Sequence, residues 1–248
     1  MTLSRSASCF AEILSDLVEL TDNEIQALKQ LEARERNLRR GAVLQRENEP
    51  DHELYILRRG MMMSYVLLED GSRQILRFLF PGDMIGLPGI LYRGSPEALC
   101  ALSDCVVCPF DRSALSNLIV QHPRLAALIL VVNQIERVSL TDRLAMLGRT
   151  TAKARVGALL LELRDRLRAT DKSIDNSFTL GLTQEEIGDA TGLTSVHVNR
   201  MLRQLEQEGS IARVNGHVTL LDESVLARSA NYVNRFEGIE IDWLPVPR

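Results

Sequence analysis

Residues 182–205 read LTQEEIGDATGLTSVHVNRMLRQL. Thr183 is spaced to cap a helix, with Glu186 at the reciprocal position of a capping box. Ile187 falls on the inner face of that helix. Ala190 is small enough to admit a second helix at close range, and Gly192 permits a sharp turn. Thr194 caps the next helix, which runs to about Glu208 and ends at Gly209. Val198, Leu202 and Leu205 make its inner face. Ser195, Val196, His197, Asn199, Arg200 and Arg203 are left pointing outward or sideways. The pattern predicts a helix-turn-helix.

The outward residues suit a reader of the DNA major groove. Such a helix needs hydrogen-bonding tips of modest size, an arginine able to make a bidentate contact to guanine, and no carboxylate toward phosphate. Arg200 is the candidate base reader. Val196 offers an apolar contact to a thymine methyl, and Thr183, Gln184 and Thr194 sit where helix starts meet phosphates. The alternative is a three-helix bundle whose outer face is only solvated.

The flanks extend the motif. Ile211 to Leu221 reads as a hairpin turning at Asn215-Gly216, a strong short turn signal, with Arg213 and His217 as wing contacts to the DNA backbone. Upstream, Lys153 to Leu167 is an amphipathic helix, followed by a polar loop from Asp171 to Ser177. Pro123 to Leu147 is a longer helix. Its residues Leu125, Leu128, Val132, Ile135, Ser139 and Asp142 recur at three and four, the spacing of a pairing seam. Ile129, Val131 and Val138 widen the apolar surface. A helix apolar on two faces packs on its own domain with one and on a partner with the other, so a homodimer is expected, against burial within a monomer.

Leu38 to Arg112 has a different texture. Turn signals at Arg40-Gly41, Glu49-Pro50-Asp51, Arg59-Gly60, Asp70-Gly71 and Pro81-Gly82-Asp83 separate short apolar runs, as in an all-β sandwich or barrel. Cys9 to Ala33 has helical spacing, with Thr21 and Glu24 as a capping box. The expected fold class is α+β, divided as 1–122 helices and β domain, 123–148 dimerisation helix, 149–222 winged helix-turn-helix and 223–248 a tail of no assigned role.

Composition adds limits. The 248 residues carry a net charge of −4, with 45% hydrophobic residues, an ordinary globular balance. Residues 1–148 hold 16 Lys and Arg against 19 Asp and Glu, and residues 149–221 hold 10 against 9. DNA binding therefore has to rest on placement of charge, not on totals. No apolar run reaches membrane-spanning length, and no signal-peptide block opens the chain, so no membrane partner and a cytoplasmic location are expected. There is no nucleophile–base motif and no phosphate-binding loop, so no enzyme activity is expected. The four histidines form no metal spacing.

The order of β domain, long helix and winged helix-turn-helix resembles the Crp/Fnr family of bacterial regulators over roughly residues 20–222. Pro81-Gly82-Asp83-Met84-Ile85-Gly86 is similar to the family's PGD-x-x-G turn. Leu193 to Arg200 looks like the recognition helix of a branch that reads V-H-V-N-R. The resemblance implies an N-terminal β jelly roll of cyclic-nucleotide-binding type, a dimer on a palindromic DNA site, and RNA polymerase as a partner. Ser195, Val196 and Arg200 match base-reading positions. Val196 replaces the glutamate that many members aim at cytosine, which implies a different preference there.

The resemblance also frames the signal. Gly82, Asp83, Gly86 and Arg93 fall in the effector region. The family's cyclic-AMP branch needs a Glu shortly after the PGD turn and an Arg-Ser or Arg-Thr pair on the cyclic phosphate. Here Leu87 and Pro96-Glu97 stand near those places, and Arg93 lacks a hydroxyl partner, so cyclic AMP is not expected. The oxygen-sensing branch holds an iron–sulfur cluster. Cys108 matches its β-domain ligand, but the N-terminal segment has only Cys9. Cys100, Cys105 and Cys108 have ferredoxin-like spacing, yet residues 105 and 108 on a regular strand face opposite sides. Structural thiols, a cluster with Cys9 as fourth ligand, and a thiol redox switch stay open. No cofactor is assigned. A sensor or interaction module acting through protein partners is the alternative to a DNA reader.

Overall fold

A computed structural model describes residues 8–50 and 53–246. Asp51 of the Glu49-Pro50-Asp51 turn lies outside the described residues. The chain forms two compact units. One comprises Met1–Val66, Phe78–Glu136 and Gly238–Arg248, the other Leu67–Arg77 and Arg137–Glu237.

The first unit opens with α1 (Cys9–Ser15) and α2 (Asp22–Leu31). Thr21 and Glu24 form the expected capping box on α2. Eight strands follow along the chain: β1 (Arg36–Leu38), β2 (Val43–Gln45), β3 (Glu53–Arg59), β4 (Met62–Leu67), β5 (Arg73–Leu79), β6 (Met84–Ile85), β7 (Ala98–Ala101) and β8 (Cys105–Asp111), with the β4–β5 tip Leu67–Arg77 grouped in the second unit. They make two four-stranded sheets, ordered β1-β8-β3-β6 and β2-β7-β4-β5. Strand alternation sorts the side chains. Tyr55, Leu57, Cys105 and Val107 join Leu44, Met62 and Leu99 of the second sheet in the core of the roll. Leu54, Ile56, Cys108 and Phe110 face the other way, into a second core. That second core is closed by Phe10, Leu14, Leu28 and Leu31 from the N-terminal helices and by Leu125 and Leu128. Gly82 lies at φ +91, and a Cβ there would come within 2.3 Å of Ile13. The PGD turn is thus packed directly under α1.

Two helices follow the roll. α3 (Arg112–Gln121), capped by Asp111, fills an interval to which the sequence assigns no element. α4 (Pro123–Arg149) is 27 residues long. The stripe read as its pairing seam is, in its first half, the face turned to the unit's own core: Leu125 and Leu128 are fully buried and Ile135 nearly so. The face left open instead carries Leu130 and Leu144, 53% and 71% exposed.

The second unit is built on α5 (Ala152–Thr170), capped by Thr151. α6 (Gln184–Thr191) and α7 (Ser195–Gln207) pack on it, followed by β10 (Ile211–Val214) and β11 (His217–Leu220). The β10–β11 turn falls at Asn215-Gly216, both at positive φ. β9 (Ser177–Thr179) adds a third antiparallel strand beside β11. α8 (Glu223–Ala230) docks where the sequence assigns only a tail. Its Glu223 accepts from both terminal nitrogens of Arg164 at 2.8 and 2.5 Å. The Arg164 side chain is only 1% exposed, so its charge needs these partners to be tolerable in the interior. Asp165 beside it accepts from the Tyr232 hydroxyl at 2.8 Å.

Candidate nucleic-acid interface

α6 and α7 are held by their own caps. The Thr183 hydroxyl accepts from the Glu186 amide at 3.1 Å, and Glu186 accepts from the Thr183 amide at 2.7 Å. The Thr194 hydroxyl accepts from the His197 amide at 3.3 Å. Between the helices Gly192 lies at φ 66 and ψ 40, a left-handed turn that a side chain would strain. The joint is tight. A Cβ on Gly188 would stand 2.3 Å from the Leu193 carbonyl oxygen, which accounts for the glycine inside a helix. Ile187, Ala190, Val198, Leu202 and Leu205 are buried as expected. Met201, unassigned in the sequence pattern, joins them at 8% exposure.

The outer face of α7 is open. Ser195, Val196, Arg200 and Arg203 are exposed, while His197 and Asn199 are half-buried at its sides. Val196 is 80% exposed, so its methyl groups are open to a partner. Thr183 and Gln184 are exposed at the start of α6, and Thr194 at the start of α7. Amides of a helix first turn lack intrahelical partners and suit anions. The two carboxylates at the far end of α7 are neutralised. Arg213 donates to Glu206 at 2.7 Å, and Lys153 donates to Glu208 at 2.8 and 2.7 Å. These contacts hold both acids below the usual carboxylate range. Arg213, expected as a wing contact, is thereby engaged with α7, while His217 is exposed on β11.

The effector-region residues serve the roll. The Asp83 carboxylate accepts from the Phe80 amide at 2.8 Å and closes the PGD turn. Gly86, at φ 85, starts a 3-10 helix over Leu87–Ile90. Arg93 is exposed. At the place of the phosphate clamp Glu97 is 9% exposed, and the Ser95 hydroxyl donates to its carbonyl at 2.6 Å. Pro96-Glu97 stands where an Arg-Ser or Arg-Thr pair would hold the cyclic phosphate through a guanidinium, so the residues present do not fit cyclic AMP.

All four cysteines are buried free thiols. Cys105 lies in the roll core and Cys108 in the helix-covered core, on opposite faces of β8. Cys9 donates to Glu32 at 3.3 Å and to the Leu57 carbonyl at 3.4 Å. Cys105 donates to the Met61 carbonyl at 3.3 Å. Burial, with Glu32 nearby, pushes the Cys108 thiol up to about 11 and raises Cys9 further. Among the described residues no three His, Cys, Asp or Glu side chains are gathered to hold a metal ion. The thiols present do not fit an iron–sulfur cluster, which needs deprotonated sulfurs converging on one point.

A further set of contacts reaches α6 from the β4–β5 hairpin. Arg73 donates to the Asp189 carboxylate through both Nε and Nη2 at 2.7 Å. The Gln74 amide donates to the Asp189 carbonyl at 2.7 Å. Sequence patterning does not find these partners, which lie more than a hundred residues apart. The one local signal is Asp189 itself, an acid near the end of a short helix with no basic residue in its last turn.

A jelly roll, a long helix and a winged helix-turn-helix with a carboxylate-free reading face define a DNA-binding regulator with a sensor-type domain. The chain matches the cyclic nucleotide-binding domain over residues 35–122 and the Crp-like helix-turn-helix domain over residues 154–229. It is 35% identical over 170 residues to the nitrogen fixation regulation protein FixK of Bradyrhizobium diazoefficiens, covering 68% of this chain and 70% of that protein. It is 30% identical over 207 residues to the transcriptional activator protein Anr of Pseudomonas protegens, covering 83% and 84%. The solved structure of FixK2 from Bradyrhizobium japonicum superposes with a TM-score of 0.71 at 30% identity, covering 79% of this chain and 96% of that one. The chain belongs to the Crp/Fnr family of DNA-binding transcription regulators. Among the described residues no single helix is long and apolar enough to cross a membrane.

Proposed function

We propose that this regulator acts in the cytoplasm as a homodimer on a palindromic operator, with half-sites about one helical turn apart, and that its function divides along the chain as 1–122, 123–148, 149–222 and 223–248. The observation that carries the proposal is the open face of α7, where Val196 and Arg200 stand exposed on a helix fixed by its Thr194 cap. Arg200 reads guanine, Val196 contacts a thymine methyl, and Ser195, His197, Asn199 and Arg203 complete the contacts. Thr183, Gln184 and Thr194 hold phosphates. The V-H-V-N-R sequence of this helix supports membership in the branch that resembles it. Dimerisation runs along the open stripe of α4, where Ala127, Leu130, Gln134, Arg137, Thr141 and Leu144 recur at three and four. The FixK and Anr relatives bear the names of a regulator and an activator, which supports activation through RNA polymerase.

The signal is received in the roll and is not cyclic AMP, a reading supported by Pro96-Glu97 in the place of the Arg-Ser or Arg-Thr pair. Selection from a randomised duplex library tests the whole proposal. It is expected to return a two-fold symmetric sequence. Enrichment of a single asymmetric half-site would argue against the dimer, and no enrichment would overturn base reading by α7.

A further inference from the structure

α6 is capped by Gly192, whose amide donates to the Gly188 carbonyl. The next carbonyl, that of Asp189, is among the last four that the helix itself does not satisfy, and the last turn carries the Asp189 carboxylate and no basic residue. A carboxylate at a helix C-terminus is opposed by the helix dipole. Both defects are met from one place. The Gln74 amide donates to the Asp189 carbonyl at 2.7 Å, and Arg73 donates to its carboxylate at 2.7 Å.

These donors come from a stiff support. The hairpin tip Leu67–Arg77 belongs to the same compact unit as α6 and α7. Its turn is closed by Asp70, which accepts from the Ser72 amide at 2.9 Å and the Ser72 hydroxyl at 2.6 Å. Its far side is tied down by Arg143, which donates to the Leu76 carbonyl at 2.6 Å and to both oxygens of Glu162 at 2.6 Å. Arg73 and Asp189 are 28% and 20% exposed, enough desolvation for a charge-assisted pair to hold geometry. The contact point matters. Asp189 adjoins Gly188, whose carbonyl accepts from the Leu193 amide at 3.0 Å across the turn into α7.

We propose that Arg73 and Gln74 are positioning residues for DNA reading: through Asp189 they fix the end of α6, and so the angle at which α7 presents Val196 and Arg200. They touch no base. The inference rests on α7 as the base-reading helix. Misaligning α7 weakens base contacts, while attraction of the unit to phosphates persists, because that attraction does not depend on register.

The experiment compares wild type, Arg73→Met, Asp189→Asn and the charge swap Arg73→Asp with Asp189→Arg. Each is bound to the duplex that the wild type selects from a random library and to poly(dI-dC), with thermal melting in parallel. The two single variants change net charge in opposite directions, so an effect of bulk charge would move them apart. The expected result is that both raise the Kd for the selected duplex about tenfold, near 1.4 kcal/mol. Both should leave the Kd for poly(dI-dC) within about twofold, and the swap should return the selected-duplex Kd to within about threefold of wild type. Unchanged specific binding in both single variants, or specific and non-specific binding lost in step with the folded fraction, would overturn the proposal. A wild type that enriches no sequence would instead overturn the reading of α7 itself.

Discussion

Val196 is 80% exposed at the start of a helix whose other apolar residues are buried, and the family resemblance implies that it stands where many Crp/Fnr members carry a glutamate. Val196→Glu is expected to move the selected sequence toward cytosine at one position per half-site, by about 1–3 kcal/mol of discrimination; an unchanged selection would show that residue 196 does not meet a base. Gly188→Ala carries the opposite kind of risk. Its new Cβ would stand 2.3 Å from the Leu193 carbonyl oxygen, so the turn must open. A cost of about 1–3 kcal/mol is expected from overpacking, read by denaturant titration. The thiols give a third residue-scale test. Cys9 and Cys108 are buried with their acidities suppressed, and thiol reagents attack the thiolate. At pH 8 the native protein should label slowly at these positions and rapidly after unfolding. Fast native labelling of Cys108 would contradict its burial beneath the N-terminal helices.

At the scale of elements, what the sequence discloses depends on whether the determinants are local. α6, α7 and the β10–β11 hairpin were legible because caps, glycines and the Asn215-Gly216 turn act within a few residues. Thr183→Ala should therefore cost about 1 kcal/mol, measured by thermal melting. α3, β9 and α8 were not legible. β9 is held by pairing with β11 and α8 by the Arg164–Glu223 pair, both distant partners, whereas α3 has a local Asp111 cap that the apolar pattern alone does not disclose. The period of α4 was readable, but not which stripe faced inward, because each stripe mixes apolar and polar residues, with Leu130 and Leu144 on the open one, and only the folded roll decides between them. The α8 anchor also predicts a pH dependence. Arg164 holds Glu223 below its usual range. A depressed folded-state value means that the stabilisation is present above the unfolded carboxylate value of about 4.3 and is lost as pH falls through the folded one. Acid should loosen α8 from α5, seen as faster amide exchange in α8 below about pH 4. Glu223→Gln should reduce that pH sensitivity.

For the whole molecule, a net charge of −4 leaves phosphate attraction to local placement, and the neutralised Glu206 and Glu208 serve that placement. The proposed dimer adds a second copy of the same face. Leu130→Glu combined with Leu144→Glu should give a folded monomer by sedimentation, with weaker binding to the symmetric site and unchanged melting of the helix-turn-helix unit. Family membership and the broad architecture were readable from the PGD turn and residues 182–205, while the hairpin contact to Asp189 was not, since nothing near residue 73 points to residue 189.

Base reading by α7 and phosphate holding by the surrounding unit separate when salt is titrated against binding of the selected duplex, for wild type and Arg200→Ala. Wild-type affinity should fall linearly on a log–log plot against salt. Arg200→Ala should lose about 1–3 kcal/mol of preference for the selected site over a variant at the guanine it contacts, with at most a small change in slope. An Arg200→Ala protein that keeps full discrimination, with only its salt slope reduced, would make Arg200 a phosphate contact and contradict the assignment of base reading to this helix.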